Sequence, residues 1–232
     1  MLFGVIALLW HDSDSWQTLR HIWSLPSGAV LGGCLMILQI AGGIGIQFPR
    51  TIRVASIVLG IVYFCFALAC ISAILAAPAT YAPYSSFFEQ VASVCGAMAL
   101  YAATGEHCAR AVALGRLARL GLGLCAVSFA LSQWVYLSAT ASLVPHWIPP
   151  GQRFWAILTT IAFALAAIAL LFNRRARLAA RLLTLMLLLF GALVWIPCLI
   201  AHPRAHLNWS ECALTFLITG AAWIVADSKS SR

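Results

Sequence analysis

The sequence contains very few charged residues. Only 9% of its 232 residues are charged, whereas a soluble globular domain has about 25%. The hydrophobic fraction of 63% and the mean hydropathy of +0.96 exclude an ordinary soluble domain. Charge-free runs lie at 22–48, 54–88, 120–145 and 182–201, and each reaches the roughly 20 residues that a membrane-spanning helix needs. The sequence therefore predicts an all-α, polytopic membrane protein whose main partner is the lipid bilayer.

The sequence also lacks the motifs of several common sites. It has no CxxC pair, and seven of its eight cysteines lie in apolar runs, which favours buried thiols over disulfides or metal ligands. No Walker loop, glycine-rich nucleotide loop or Ser-His-Asp arrangement is recognisable. The net charge of +8 comes without a basic run interleaved with aromatic residues, so nucleic acid is not an expected partner. We expect no metal site, and we expect the chain not to be an enzyme on its own.

Proline, glycine and charged residues divide the apolar sequence into seven predicted spans and one short N-terminal stub. The spans cover 28–48, 54–77, 87–104, 117–142, 154–172, 178–201 and 209–226, and the stub covers 2–10. The stub would be about 14 Å long against a hydrocarbon core of about 30 Å. Two interpretations stay open: the first helix begins upstream of Met1, or the stub packs against the bundle as a half-helix.

The basic residues alternate between the loops. Of the 14 bases, 11 follow the second, fourth, sixth and eighth hydrophobic segments, and the opposite loops hold only Arg20, Arg153 and Arg204. Retained cytoplasmic loops carry such an excess of positive charge. This distribution predicts a bacterial-type inner-membrane protein with a cytoplasmic C-terminus. The residues that carry the prediction are Arg50, Arg53, Arg110, Arg116, Arg119, Arg174, Arg175, Arg177, Arg181, Lys229 and Arg232.

The chain resembles itself at an offset of about 124 residues. Arg50 and Arg53 align with Arg174 and Arg177, and an apolar segment follows both pairs. Three other landmarks keep the same order: Leu25-Pro26 with Ile148-Pro149, Ala77-Pro78 with His202-Pro203, and Ser86 to Glu89 with Asn208 to Glu211. Duplicated units are common in membrane bundles. The pattern predicts two tandem four-helix units, 1–104 and 117–226, joined by a cytoplasmic linker at 105–116 and followed by a tail at 227–232.

Motifs in both halves are similar to those of a known family. The second half carries Val144-Pro145-His146-Trp147-Ile148-Pro149-Pro150, Phe154-Trp155, Arg174 to Ala179, Trp195-Ile196-Pro197 and Trp209-Ser210-Glu211. This stretch resembles the DoxX-like family of four-helix membrane proteins. The first half resembles the family from His11-Asp12 to Glu89, but most of its opening helix is missing. The resemblance implies a tandem duplication of the DoxX-like unit. The family takes its name from a subunit associated with a terminal quinol oxidase, while most members have no established reaction.

Ionisable and aromatic residues concentrate on the side predicted to face outward. The candidate pocket there, between the two units, consists of Glu89, His146, His202, His206, Glu211, Trp195 and Trp209. Imidazole and carboxylate groups suit the binding of a quinone headgroup or a metal ion. The alternative is an interfacial aromatic belt with polar loop residues, which needs no ligand. Quinone is the one candidate cofactor.

Two acids have an alternative, structural role. Glu89 lies three residues after Ser86 and Glu211 lies three residues after Asn208, which is the spacing of a capping box. The sequence therefore predicts Ser86 and Asn208 as helix caps, with a proton or ligand contact as the alternative role for the acids. Pro197 is expected to kink its helix and to free a backbone carbonyl.

Three functional hypotheses follow. The first is a DoxX-like multi-pass inner-membrane protein with no catalytic constellation of its own. The second is an accessory, quinone-interacting subunit of a membrane oxidoreductase, which would need a redox partner subunit. The third is a small-solute transporter that uses the two repeats, although few polar residues lie within the predicted spans.

Overall fold

The structure is a computed structural model that describes residues 1–10, 26–105 and 109–227, and these residues form helices and turns without a strand. The all-α prediction is confirmed for these ranges. The helices are α1 (Leu2–Trp10), α2 (Pro26–Gly45), α3 (Ile52–Ala76), α4 (Ala82–Thr104), α5 (Ala109–Val135), α6 (Leu137–Leu143), α7 (Gln152–Leu171), α8 (Ala176–Phe190), a π-helix (Gly191–Trp195), α9 (Ile196–Ala201) and α10 (His206–Asp227).

Five helical segments in the described part of the chain are long and apolar enough to cross a membrane. They are α3, α5, α7, α10 and the continuous segment Ala176–Ala201, which we call the interrupted rod because it contains α8, the π-helix and α9. In α2 the apolar part is the shorter stretch Val30–Gly45. α4 is 23 residues long, but polar side chains such as Ser85, Glu89 and Gln90 lie in its first half. Large apolar side chains such as Leu75 and Ile200 are exposed on the outer surface, as contact with lipid requires.

Side-chain contacts define the two ends of the bundle. Arg53 Nη2 donates to the Tyr101 hydroxyl at 3.5 Å, so the start of α3 lies beside the end of α4. Arg119 Nη1 donates to the Leu170 carbonyl, which joins the first half of α5 to the end of α7. We call the end that contains turns 46–51 and 172–175 the arginine-rich end. The opposite, arginine-poor end contains turns 77–81, 144–151 and 202–205.

The central helices α4 and α10 come from different halves of the chain and run parallel. Gly96 lies near the middle of α4, and a methyl group added there would be 2.5 Å from the Ala221 Cβ in α10. Small residues allow such close packing of helices in a membrane. The larger buried cluster consists mainly of side chains from α4, α5, α7, α8 and α10. A smaller cluster consists of side chains from α2, α3 and α4. α1, which is nine residues long, packs against α2 and α10.

The interrupted rod changes its hydrogen-bonding pattern one turn before Pro197. The Ile196 N–H donates to the Gly191 carbonyl, five residues earlier, which is the pattern of a π-helix. Proline has no N–H and its ring crowds the preceding turn, so an α-helical ladder is interrupted at this position. Gly191 is buried, and a side chain there would meet the Phe216 ring. A π-turn therefore precedes Pro197 in the rod, and the kink expected there stays a prediction.

Several predicted boundaries differ from the structure. α4 begins at Ala82 with Pro83 in its first turn, so Ser86 lies inside the helix and does not cap it. α10 begins at His206, and the Asn208 side chain donates to the Cys198 carbonyl at 3.3 Å. The predicted capping boxes are therefore wrong at both sites, because each helix starts earlier than its Ser or Asn. α5 begins at Ala109, so the part of the predicted linker from 109 to 116 is helical.

The arginine-poor end contains one local arrangement three times. At the start of α4, α7 and α10, an aromatic side chain donates a hydrogen bond to the carbonyl of a proline six residues earlier. We call each of these a proline latch. The pairs are Tyr84 Oη to Pro78 at 3.2 Å, Trp155 Nε1 to Pro149 at 3.0 Å and Trp209 Nε1 to Pro203 at 2.8 Å. Each proline latch ties the first turn of its helix to the turn that precedes it.

Candidate functional site

A cavity of about 550 Å³ lies toward the arginine-poor end of the bundle. Its walls come from α4, α5, α7, α8, the π-helix and α10, and α6 and the turn after it close one side. Small-molecule sites commonly have volumes of about 300–1,000 Å³. The cavity is therefore large enough to hold an organic ligand.

Two carboxylates from the parallel central helices line this cavity. Glu89 lies about two turns inside α4 and Glu211 lies one turn inside α10. The Ser85 hydroxyl donates to Glu89 Oε1 at 3.4 Å, and Thr215 lines the same wall one turn after Glu211. Both acids are partly buried. This part of the cavity offers carboxylate and hydroxyl groups to a ligand.

A second polar group lies where α5 faces α7. The side-chain amide of Gln133 lies within hydrogen-bond distance of the Thr159 hydroxyl, at 3.2 Å, and of the Thr160 hydroxyl, at 3.1 Å. Gln133 and Thr159 line the cavity, while Thr160 is buried behind them. We call these three residues the amide corner. The cavity thus has a neutral polar group in addition to its two acids.

The remaining walls are mainly apolar. Phe129 and Phe163 pack edge to face with their ring centroids 5.6 Å apart, and they form part of the lining. Leu182, Leu185 and Leu189 of α8 also line the cavity and are about half exposed. Only 22% of the most apolar window of the interrupted rod is buried, against 56% for α10. The cavity therefore reaches the outer apolar surface beside α8.

The structure brings together some of the residues that the sequence suggested. Glu89, Glu211 and Trp195 line the cavity. His146 and His202 lie in exposed turns outside its lining. His206 and Trp209 also lie outside the lining: His206 Nε2 is 3.0 Å from the Ser210 hydroxyl, and Trp209 forms a proline latch. The acids share a site because α4 and α10 are neighbours, whereas these histidines belong to the turns and the helix start.

The amide corner was not predicted from the sequence. Its one available signal is that Gln133, Thr159 and Thr160 are polar residues within apolar segments, where polar side chains usually face the bundle interior. That signal does not pair α5 with α7. The pairing depends on the packing of the whole bundle.

The cavity combines a few polar groups with mainly apolar walls. Within residues 1–10, 26–105 and 109–227, no group of three or more His, Cys, Asp or Glu residues is arranged to hold a metal ion. The acids, the amide and the nearby hydroxyls can contact an uncharged headgroup, while the leucine and phenylalanine walls can contact a hydrocarbon tail. This combination suits an amphiphilic ligand.

No family model, curated protein or solved structure matches this chain. The interpretation of the cavity therefore depends on its own residues and geometry.

Proposed function

We propose that this chain is a DoxX-like multi-pass inner-membrane protein that binds a quinone headgroup, and that it acts as an accessory subunit of a membrane oxidoreductase. One observation carries the proposal: Glu89 and Glu211, from two parallel helices, line a single cavity whose other walls are mainly apolar. The chain's own residues would bind and orient the headgroup. A partner subunit would supply the redox centre that exchanges electrons with it.

The proposed architecture has seven spans and two four-helix units, so α2 and α4 cross the membrane as well. Two contacts support the repeat. Arg53 at the start of α3 contacts Tyr101 near the end of α4, and Arg177 at the start of α8 lies 3.5 Å from the Asp227 carboxylate at the end of α10. The proposed orientation places the arginine-rich end and the C-terminus in the cytoplasm, because the basic residues concentrate there.

The cavity favours a lipid-soluble ligand over a polar solute. Its apolar lining reaches the outer surface beside α8, where an isoprenoid tail could remain in contact with the bilayer. A small polar solute would leave most of this wall without a matching partner. For this reason we prefer quinone binding to solute transport.

The test is binding of decylubiquinone and of its hydroquinone to the purified full chain in mild detergent. Trp155 and Trp195 line the cavity, so a bound quinone should quench tryptophan fluorescence in a saturable manner. In the double variant Glu89→Gln, Glu211→Gln the side-chain shapes are kept and both ionisable groups are removed. The hydroxyl groups of the hydroquinone can donate to the two carboxylates, and hydrogen bonds to charged groups contribute about 1.5–3 kcal/mol, so we expect the affinity for the hydroquinone to fall at least about tenfold.

The matched control is His146→Gln, which changes an exposed turn residue outside the cavity. It should leave the affinity for both probes unchanged. The absence of saturable quenching in the wild-type protein would overturn the proposal. So would equal affinity for the hydroquinone in the wild type and the double-glutamine variant.

A further inference from the structure

The cavity has charge of one sign, and the proposed function does not use this feature. Glu89 and Glu211 belong to its lining, whereas no arginine, lysine or histidine lines it in the part of the chain that the structure describes. Arg153 and Arg204, the arginines described at the arginine-poor end, are exposed and lie outside the lining. The charged side chains that line the cavity are therefore both acids.

Both acids lie inside the bundle. Glu89 is about 10 Å beyond the first residue of α4, and Glu211 is about 8 Å beyond the first residue of α10. Both side chains are partly buried. Electrostatic attraction is stronger in such surroundings than in water. A cation that enters the cavity therefore gains an attraction that an uncharged ligand of the same size does not.

Aromatic rings from several helices also line the cavity. They are Phe129, Trp155, Phe163, Phe190 and Trp195. The Phe163 ring centroid lies 5.6 Å from that of Phe129 and 6.3 Å from that of Phe190, so these three rings form one continuous apolar wall. Aromatic side chains pack against hydrocarbon groups, and their ring faces attract cations. The walls therefore suit an organic cation with apolar substituents.

We propose that the cavity binds lipophilic organic cations, with Glu89 and Glu211 supplying the negative charge and the aromatic and leucine walls contacting the apolar substituents. The ligand class is a drug-sized quaternary phosphonium or ammonium ion. The opening beside α8 gives such an ion access from the bilayer. This inference goes beyond the proposed function, because it rests on the sign of the charge in the cavity. A bound cation would exclude a quinone from the same space.

The test is equilibrium dialysis of radiolabelled tetraphenylphosphonium against the purified full chain in an uncharged detergent. Tetraphenylborate has the same shape and the opposite charge, so it is the matched probe. In the double variant Glu89→Gln, Glu211→Gln we expect the affinity for tetraphenylphosphonium to fall at least about tenfold, which corresponds to about 1.4 kcal/mol. The affinity for tetraphenylborate should not fall, because the carboxylates that are removed repel this anion.

The matched control is Asp227→Asn, which removes a carboxylate at the arginine-rich end, outside the cavity. It should leave the affinity for tetraphenylphosphonium unchanged. If the double variant does not fold, the single variants Glu89→Gln and Glu211→Gln provide the test. Each of them should lower the affinity for tetraphenylphosphonium at least about threefold.

Competition with decylubiquinone shows whether the cation occupies the cavity. Tetraphenylphosphonium should raise the apparent Kd of decylubiquinone in proportion to its concentration, and tetraphenylborate should not. Simultaneous binding of decylubiquinone and tetraphenylphosphonium to one chain would overturn the inference.

The remaining outcomes separate this inference from the proposed function. If the double-glutamine variant loses affinity for both tetraphenyl ions alike, the acids do not act through their charge and the inference is wrong. If the wild type binds decylubiquinone but not tetraphenylphosphonium, the inference alone fails. If the wild type binds tetraphenylphosphonium through the two acids but does not bind decylubiquinone, the inference stands and the proposed function fails.

Discussion

α3 and the interrupted rod start at the two arginine turns that the predicted repeat aligns, yet they differ in length by one residue. α3 contains 25 residues and the rod contains 26. Ala176 lies 124 positions after Ile52 at the two starts, whereas Ala201 lies 125 positions after Ala76 at the two ends. A turn closed by a bond between residues five apart holds one more residue than an α-helical turn. The π-helix of the rod therefore accommodates the additional residue.

This difference lies beside the candidate site. Leu193, Val194 and Trp195 of the π-helix line the cavity. The rod also buries less of its most apolar window than α3 does, 22% against 39%. Two segments of similar composition therefore have different surroundings: α3 completes a packed cluster, and the rod borders the cavity. π-turns inside α-helices often occur at functional sites.

The largest expected effect comes from removing one residue from each segment. Deletion of Phe64, an exposed residue of α3, rotates the following residues by about 100° and displaces the buried Phe66. We expect a loss of several kcal/mol of stability, since loss of a buried phenylalanine costs about 3–5 kcal/mol. Deletion of Ala192 should convert the π-turn into an α-turn and cost much less.

The measurement is thermal unfolding of both deletion variants in detergent, with gel filtration to detect aggregation. Equal destabilisation by the two deletions would contradict the view that the rod contains a surplus residue. Loss of decylubiquinone binding in a folded Ala192 deletion would further show that the π-turn shapes the cavity.

A smaller effect is expected from adding a methyl group to one glycine in each segment. In Gly191→Ala the new Cβ would lie 2.7 Å from Phe216 Cζ, so the ring must move. We expect a loss of about 1–2 kcal/mol, which is typical of overpacking. In Gly60→Ala the new Cβ would lie 3.6 Å from the Ala97 Cβ, an ordinary contact. Thermal unfolding should show Gly60→Ala at wild-type stability or slightly above, and the reverse order would disprove this comparison.

The smallest effect concerns the contacts that fasten each segment at the arginine-rich end. Arg177 is paired with Asp227 at 3.5 Å, and both side chains are substantially exposed. Arg53 instead lies 5.0 Å above the Tyr101 ring. An exposed ion pair contributes about 0.2–1 kcal/mol and is screened by salt. Arg177→Ala should lower the unfolding temperature slightly at low salt and less at 1 M salt. A double-mutant cycle with Asp227→Asn checks the coupling, and coupling that does not change with salt would contradict an ionic origin.

Much of the fold was predictable from hydropathy because each helix is an apolar run bounded by polar residues or proline. The residues at which the helices begin were less predictable. Ser86 and Asn208 match a capping pattern, but Pro83 is well suited to the first turn of a helix, and α4 begins before Ser86. Arg110 and Arg116 suggested a loop, although both lie in the first turns of α5. Long arginine side chains can extend from a helix to polar surroundings, so their charge does not end the helix.

The candidate site was predictable only in part. Glu89 and Glu211 stand out in a sequence with six acids, and they share one cavity. The amide corner depends on the contact between α5 and α7, which no local pattern in the sequence specifies. The π-turn depends on a one-residue difference that becomes visible only when the two segments are compared end to end.

The proline latches have a consequence for the order of assembly. In each latch the donor and the acceptor are six residues apart, so closing it requires no contact from another helix. The entropy cost of closing so short a loop is small. The turns that precede α4, α7 and α10 can therefore form while each helix is being inserted, before the helices associate. Three helices of the final bundle would then meet with their ends already shaped, and their association would have only side-by-side packing left to complete.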